Sequence, residues 1–443
     1  MPLHGNHFMV TTVEVARVRL WGEPVGAVAW LAGPGYAVFE YEPAFLRTGL
    51  DIAPIQMSLA AARQGDARFS FPALNRDTFL GLPGLLADAL PDKFGNAVID
   101  AWLARQGRSP AVFSPIERLC YTGHRGMGAL EFEPTLERKH DESVPVEVSD
   151  LVALAQAVMR ERQALAVDIG DDEQQNAEAV LDILRVGTSA GGARPKAVIA
   201  MDDQGHVRSG QVAAPEGYDY WILKFDGVTD LELGTPKGYG RIEYAYYLMA
   251  KAAGIQMMES RLLEEQGRAH FMTRRFDRVG EQKLHMQSLC GIAHYDFNQP
   301  GAYSYEQAFT VMRQLRLSQA EAQEQFRRMV FNIMARNLDD HTKNITFLMG
   351  PDGKWKLSPA YDVIYAHNPK GQWTNQHQMT ANGKRDHFTR EDLITIADAI
   401  SLSRPEGVID EVATAVEQWP SYAQEAGVKQ EVMNEIQGNH RLL

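Results

Sequence analysis

The chain has 443 residues, 45% of them hydrophobic and 23% charged, and a formal net charge of −13. That length accommodates two or three domains with sizeable cores, and the composition is that of a soluble globular protein. The acidic balance excludes a general nucleic-acid coat or an anionic-membrane binder acting through overall charge, although a local basic patch is compatible with it.

Residues 9–60 hold β-like runs at 13–20, 25–30 and 36–41, punctuated by Gly and Pro. Residues 76–107 read as helical, with Leu85, Leu86, Leu90, Val98, Ile99 and Trp102 as core, and Pro91-Asp92 starts a new helix within them. A further β-like run at 128–132 closes this region. The charged stretch 135–149 reads as a linker or excursion, with a boundary near 140, and the acidic run 168–178 as a solvated segment. From about 180 to 280 short strands alternate with one clear helix at 241–253, ended by Gly254. Beyond 300 the pattern is mostly helical. Two cysteines, Cys120 and Cys290, can build neither a disulfide framework nor a four-cysteine zinc site, so they read as buried fillers in a reducing cytoplasm. No basic-then-apolar leader opens the sequence, and glycines break the longest uncharged run, so neither a secretory signal nor a membrane span is expected.

The most informative stretch is Asn337-Leu338-Asp339-Asp340-His341-Thr342-Lys343-Asn344. Asp339 and Asn344 have the D-x-x-x-x-N spacing in which the aspartate takes the proton of an attacking hydroxyl and the asparagine binds magnesium. Upstream, Phe326, Met329, Val330, Ile333 and Met334 recur at helical spacing. Downstream, residues 345–349, Pro351-Asp352-Gly353 and 355–357 read as strand, turn, strand. Strands of about five residues run out ~17 Å and return, which places Asn344 beside the segment 359–362 and brings Asp362 to the asparagine. Hard oxygen donors from two short segments suit magnesium. Asp339, Asp340 and His341 alone could simply cap a helix end; Asn344 and the returning Asp362 favour a metal–phosphate site.

Residues 187–196 form a small-residue loop that lets backbone N–H groups approach phosphate, or else a plain hairpin tip; it is not a Walker A loop. Lys224 interrupts an apolar strand, either snorkelling at an edge or gripping nucleotide phosphates. Glu243, in the helix that follows, either favours that helix's first turn or pairs with Lys224. The order of small-residue loop, strand lysine, helix glutamate, D-x-x-x-x-N and aspartate is that of a kinase.

With Leu90-Pro91-Asp92, 126–130, Arg275-Phe276-Asp277-Arg278 and Tyr361-Asp362 added, the chain resembles the HipA-type serine/threonine kinases, toxins of type II toxin–antitoxin systems, over most of its length. The resemblance implies an α+β, bilobal protein-kinase-like fold. Its parts would be a β-rich N-terminal subdomain (1–140), an N-lobe-like nucleotide-binding region (141–280) and a mostly helical catalytic lobe (281–443). It also implies ATP and Mg2+ as cofactors. Asp339 would be the base, Asn344 and Asp362 the metal ligands, and Lys224, fixed by Glu243, would hold ATP phosphates. Gly191, Gly192, Ala193, Arg194, Pro195 and Lys196 would line the nucleotide, and backbone groups of Arg274 and Phe276, next to Arg275, would meet adenine. His341, Thr342, Lys343 and Tyr361 would support the loop and phosphates. Ser189 matches a loop serine that members autophosphorylate, a charge change that would expel the loop from the ATP site. Departures from the family pattern are Asp340 in place of glycine, Arg274 in place of an acidic residue, Arg194-Pro195 in the loop, and Gln287-Ser288-Leu289 before Cys290.

The leading expectation is a protein kinase toxin, with an aminoacyl-tRNA synthetase as a family-type substrate. A second is a binding partner of a HipB-like helix-turn-helix antitoxin, reaching operator DNA through it, with Lys384 and Arg385 as a small basic spot that otherwise reads as a solvated pair. A third is a small-molecule kinase on the same scaffold.

Overall fold

The computed structural model describes residues 12–443 except 66, 106–107, 137–141, 154, 157–193 and 229–237. The N-terminal sheet runs in the order β4-β3-β2-β1-β5, with β1 (Val15–Leu20), β2 (Glu23–Leu31), β3 (Tyr36–Tyr41), β4 (Arg68–Phe69) and β5 (Leu130–Glu133). In β1, Ala16, Val18 and Leu20 are buried and alternate with more exposed neighbours, as a half-buried strand requires. Trp21 and Gly22, both at positive φ, close the β1–β2 hairpin in two residues. The helix Lys93–Arg105 starts where Asp92 Oδ1 accepts from Gly95 N at 2.6 Å, as the Pro91-Asp92 signal predicts.

A second five-stranded sheet runs β7-β6-β8-β10-β9, with β6 (Lys196–Met201), β7 (Val207–Ser209), β8 (Asp219–Lys224), β9 (Ser260–Glu265) and β10 (Arg268–Arg274). The helix Tyr239–Ala252 lies across it. Gly240 makes that approach possible, since a Cβ there would lie 2.0 Å from Ala269 O. Phe94, Val98, Ile99 and Leu103 of the helix Lys93–Arg105 share a core with Ala197, Ile199, Met201, Trp221 and Leu223 of this sheet. Part of the stretch expected as a linker also joins the sheet: Ser209 N donates to Val144 O at 2.9 Å and Val146 N to Val207 O at 3.1 Å. The open edge of β7 supplies the reason, because its backbone groups need partners.

A short ribbon of β11 (Arg278–Val279) and β12 (Gln282–Lys283) leads to the sheet β13-β14-β15, formed by His285–Ser288, Thr346–Met349 and Trp355–Leu357. The last two are the expected hairpin, paired at Phe347 and Leu357. Around them pack helices including Gln319–Met334, whose Phe326, Met329, Val330, Ile333 and Met334 are all buried. Cys120 and Cys290 are buried free thiols, pushed up to about 12, chiefly by burial. Among the described residues no helix is long and apolar enough to cross a membrane.

Candidate active site

The loop carrying Asp339 starts where the helix Gln319–Met334 ends. Arg336, at φ +57°, turns the chain, and its guanidinium is held by Asp386 at 3.0 Å. The side chain of Asp339 is 41% exposed, with His341 Nε2 3.9 Å from its Oδ1. Asn344 Nδ2 donates to Asp339 O at 2.8 Å, which fixes the carboxamide and leaves its Oδ1 for another partner. Thr342 Oγ1 donates to Tyr295 O at 2.7 Å, and Lys343 Nζ sits 4.9 Å from the Phe297 ring centroid.

The hairpin returns as its length requires. Ser358 N donates to Thr346 O at 2.9 Å, and Tyr361 OH reaches Lys343 O at 2.5 Å. Asp362, at φ +52°, is held in the left-handed region, uncommon for residues other than glycine but one that aspartate enters more readily than most. Asn344 and Asp362 line one cavity, together with Asp340, His341, Arg328 and Tyr361. Asp362 is ion-paired with Lys224, whose Nζ also lies 2.5 Å from Glu243 Oε1. Arg194, Pro195, Lys224, Tyr239 and Glu243 line a second cavity, so the Lys224–Asp362 pair joins the two. Burial opposes charge on Lys224, but the Asp362 and Glu243 carboxylates outweigh it and raise its pKa. Burial likewise pushes Asp362 up, yet Lys224 and then Lys196 bring it down to about 2. Lys224 and Asp362 are therefore a charged pair at neutral pH.

Asp340 is a different kind of acid. It is 3% exposed and accepts from Tyr305 OH, His377 Nδ1 and Gln378 N, each at 2.8 Å. Burial opposes its ionisation, but His377 and these hydrogen bonds hold it below the usual carboxylate range. Three of its acceptor sites are taken inside the protein and the side chain is buried, whereas Asp339 is the more exposed carboxylate of the two. Arg275 is equally enclosed: Nε and Nη2 bind the two oxygens of Asp277 at 2.9 and 2.8 Å. Arg274 pairs through its guanidinium with Asp219 and donates its N–H to Glu259 O at 2.9 Å, while the Phe276 ring lies 5.4 Å from that of Tyr361. Pro195 O accepts from Phe225 N at 3.1 Å, and the Arg194 guanidinium stacks 3.8 Å over the Tyr239 ring. Ser189, Gly191, Gly192 and Ala193 lie outside the described residues. Lys384 and Arg385 line neither of these two cavities; Lys384 Nζ binds Asp392 at 2.7 Å and Arg385 Nε donates to His377 O at 2.6 Å.

Sequence reasoning placed Asp92 at a helix start but missed its partner: Asp92 Oδ2 lies 3.4 Å from Lys196 Nζ. Burial pushes this carboxyl up to about 6, and Lys196 limits the rise. It also missed Tyr305, His377 and Gln378 around Asp340. The Asp92-initiated helix was a legible signal, but the 104 positions to Lys196 hid the pairing. Among the described residues no cluster of three or more His, Cys, Asp or Glu could hold a metal. A divalent ion at Asn344 and Asp362 would complete its shell with water and phosphate oxygens, the habit of magnesium.

A model of the HipA-like C-terminal domain matches residues 188–419, and one of the HipA N-terminal domain matches residues 16–133. The chain belongs to the HipA family. The HipA fold extends over nearly all of it. The HipA chain of a solved Shewanella oneidensis toxin–antitoxin complex, with HipB and operator DNA, superposes with a TM-score of 0.62 at 15% identity, over 96% of this chain and 94% of that one. A Haemophilus influenzae protein whose name carries the word kinase is 29% identical over 136 residues, 28% of this chain and 40% of that relative. The match thus spans less than half of the curated relative's length. The α+β kinase-like architecture of this HipA-family chain has its cleft where Lys224, Glu243, Asn344 and Asp362 converge.

Proposed function

We propose that this protein transfers the γ-phosphoryl group of ATP to a serine or threonine hydroxyl of a protein, and that it is the toxin of a type II toxin–antitoxin pair acting in the cytoplasm. The observation that carries the reading is the triad in which Lys224 bridges Glu243 and Asp362 beside Asn344. Asp339, half-exposed, would accept the hydroxyl proton as general base. Asn344 Oδ1 and Asp362 would hold magnesium, which when bound would neutralise charge between the phosphates. Lys224, freed from Asp362, would grip phosphate oxygens while Glu243 keeps it in place. His341, Thr342, Lys343 and Tyr361 would brace the loop, residues 191–196 would cover the phosphates, and the backbone of Arg274 and Phe276 would meet adenine.

Membership of the HipA family supports a HipB-like helix-turn-helix antitoxin as partner, with operator DNA met through it. It also supports autophosphorylation at Ser189 as the off-switch and an aminoacyl-tRNA synthetase as substrate class. Purified protein with labelled ATP and magnesium is expected to label itself, and Asp339→Asn to abolish the label, with thermal stability retained. Equal labelling by that variant would remove Asp339 from the mechanism. Expression of the wild-type chain is expected to arrest growth, and expression of Asp339→Asn to leave it unaffected.

A further inference from the structure

Between Asp362 and the helix Arg390–Ala399 the chain leaves the catalytic loop and comes back to it on the two sides of Asp339. On leaving, Ala366 N donates to Arg336 O at 3.2 Å and Ala366 O accepts from Leu338 N at 3.1 Å. On return, the His377 ring and the Gln378 N–H both bind the Asp340 carboxylate at 2.8 Å. Residues 367–376 are therefore an excursion with its feet on the immediate neighbours of Asp339. It is also closed on itself: Asn368 N donates to Thr374 O and Gly371 N to Asn368 O, each at 2.9 Å. Gln378 Nε2 holds the carbonyl of Trp373. The shape of the crest is set by the protein's own contacts.

The returning foot, His377 and Gln378, is buried and the crest is not. Trp373 is 36% exposed, and Lys370 and Gln372 are exposed beside it. A tryptophan held open on a preformed crest is the residue type that anchors protein contacts at low entropic cost. The charge is as lopsided as the shape. From Val363 to Arg385 there is no aspartate or glutamate, in a chain carrying 57 of them. Lys384 and Arg385 are held by Asp392 and the His377 carbonyl, whereas the Lys370 side chain stands on the crest.

We infer that residues 367–376 are the docking rim for the polypeptide that brings the acceptor hydroxyl, with Trp373 against an apolar side chain and Lys370 favouring an acidic residue. This rests on the protein-kinase reading above. An acceptor oxygen must come within about 3 Å of the Asp339 carboxylate, and a polypeptide doing so arrives beside a loop rooted on both flanks of that residue. A small metabolite does not need to touch it.

The test uses the full chain, labelled MgATP and a positional-scanning library of serine and threonine peptides. The wild type is expected to select acidic and large apolar residues at fixed offsets from the acceptor. Trp373→Ala is expected to raise KM for the best peptide about tenfold with kcat nearly unchanged, and Lys370→Glu to turn the acidic preference into a basic one. Binding of a fluorescent ATP analogue should be the same in all three proteins. Unchanged KM and unchanged preference in both variants overturn the rim and leave phosphotransfer standing. Label on the protein itself but on no peptide also overturns the rim. No label anywhere from wild-type protein that binds ATP overturns the kinase reading, and the rim with it.

Discussion

Two buried charge networks, one just beyond β10 and one at the end of β8, are made of the same ingredients and do opposite things. In the first, Asp277 accepts from Arg275, from Arg278 Nη1 at 2.6 Å and from Gly128 N at 2.7 Å, with Arg275 and Asp277 both at 0% side-chain exposure. Burial would raise the Asp277 carboxyl, but Arg275 and Arg278 hold it far below the usual range. This network ties Gly126–Gly128 of the first region to the strands of the second, since Arg278 also donates to the carbonyls of both glycines at 3.2 Å. In the second, Lys224 and Asp362 retain 15% and 27% exposure and face cavities. A buried ion pair alone does not distinguish a clamp from a site. Capacity left over and turned toward open space does.

The largest effect is expected at Asp277. Asp277→Ala strands two buried guanidinium groups and is expected to cost about 3–5 kcal/mol, read as a large fall in the urea midpoint. Lys224→Met should act on the other axis. It removes a preorganised cation, so phosphotransfer is expected to fall by roughly 10²–10³, with a midpoint much closer to wild type than that of the Asp277 variant. If both variants unfold alike, or if Asp277→Ala stays stable and loses only activity, the contrast is wrong.

A smaller, pH-dependent effect comes from buried groups kept neutral. Burial pushes His285, His294 and His440 down to about 4. His285 Nε2 meets Ile52 O at 3.0 Å, while its buried Nδ1 has no partner to receive a second proton. An unfolded histidine titrates near 6.5, so the unfolded chain takes up protons that the native chain refuses. Stability is full above about pH 6.5 and falls as pH drops toward 4, by up to about 1.4 kcal/mol per unit for His285. Thermal midpoints between pH 7.5 and 5 check the sign.

What was legible in the sequence is what short spacing controls. The five positions from Asp339 to Asn344 and the hairpin that returns Asp362 fix geometry locally, and the period of Phe326 to Met334 fixes which helix face is buried. Lys224 and Glu243 were legible as a pair because strand and helix are consecutive. Asp340 was not legible: next to Asp339 it reads as a second site acid, and only partners 35 to 38 positions away make it a structural one. The backbone pairing of Val144 and Val146 with β7 was illegible for the same reason, since the sequence around them is polar.

The helix Lys93–Arg105 belongs by sequence to the first region and by packing to the underside of the second sheet. Phe94, Val98, Ile99 and Leu103 are the floor on which β6 and β8 rest, and Asp92 at the head of that helix holds the lysine that begins β6. The two family segments are thus no pair of beads on a string. A chain cut free upstream of β6 would bare a greasy flank and take from Lys196 its Asp92 neighbour.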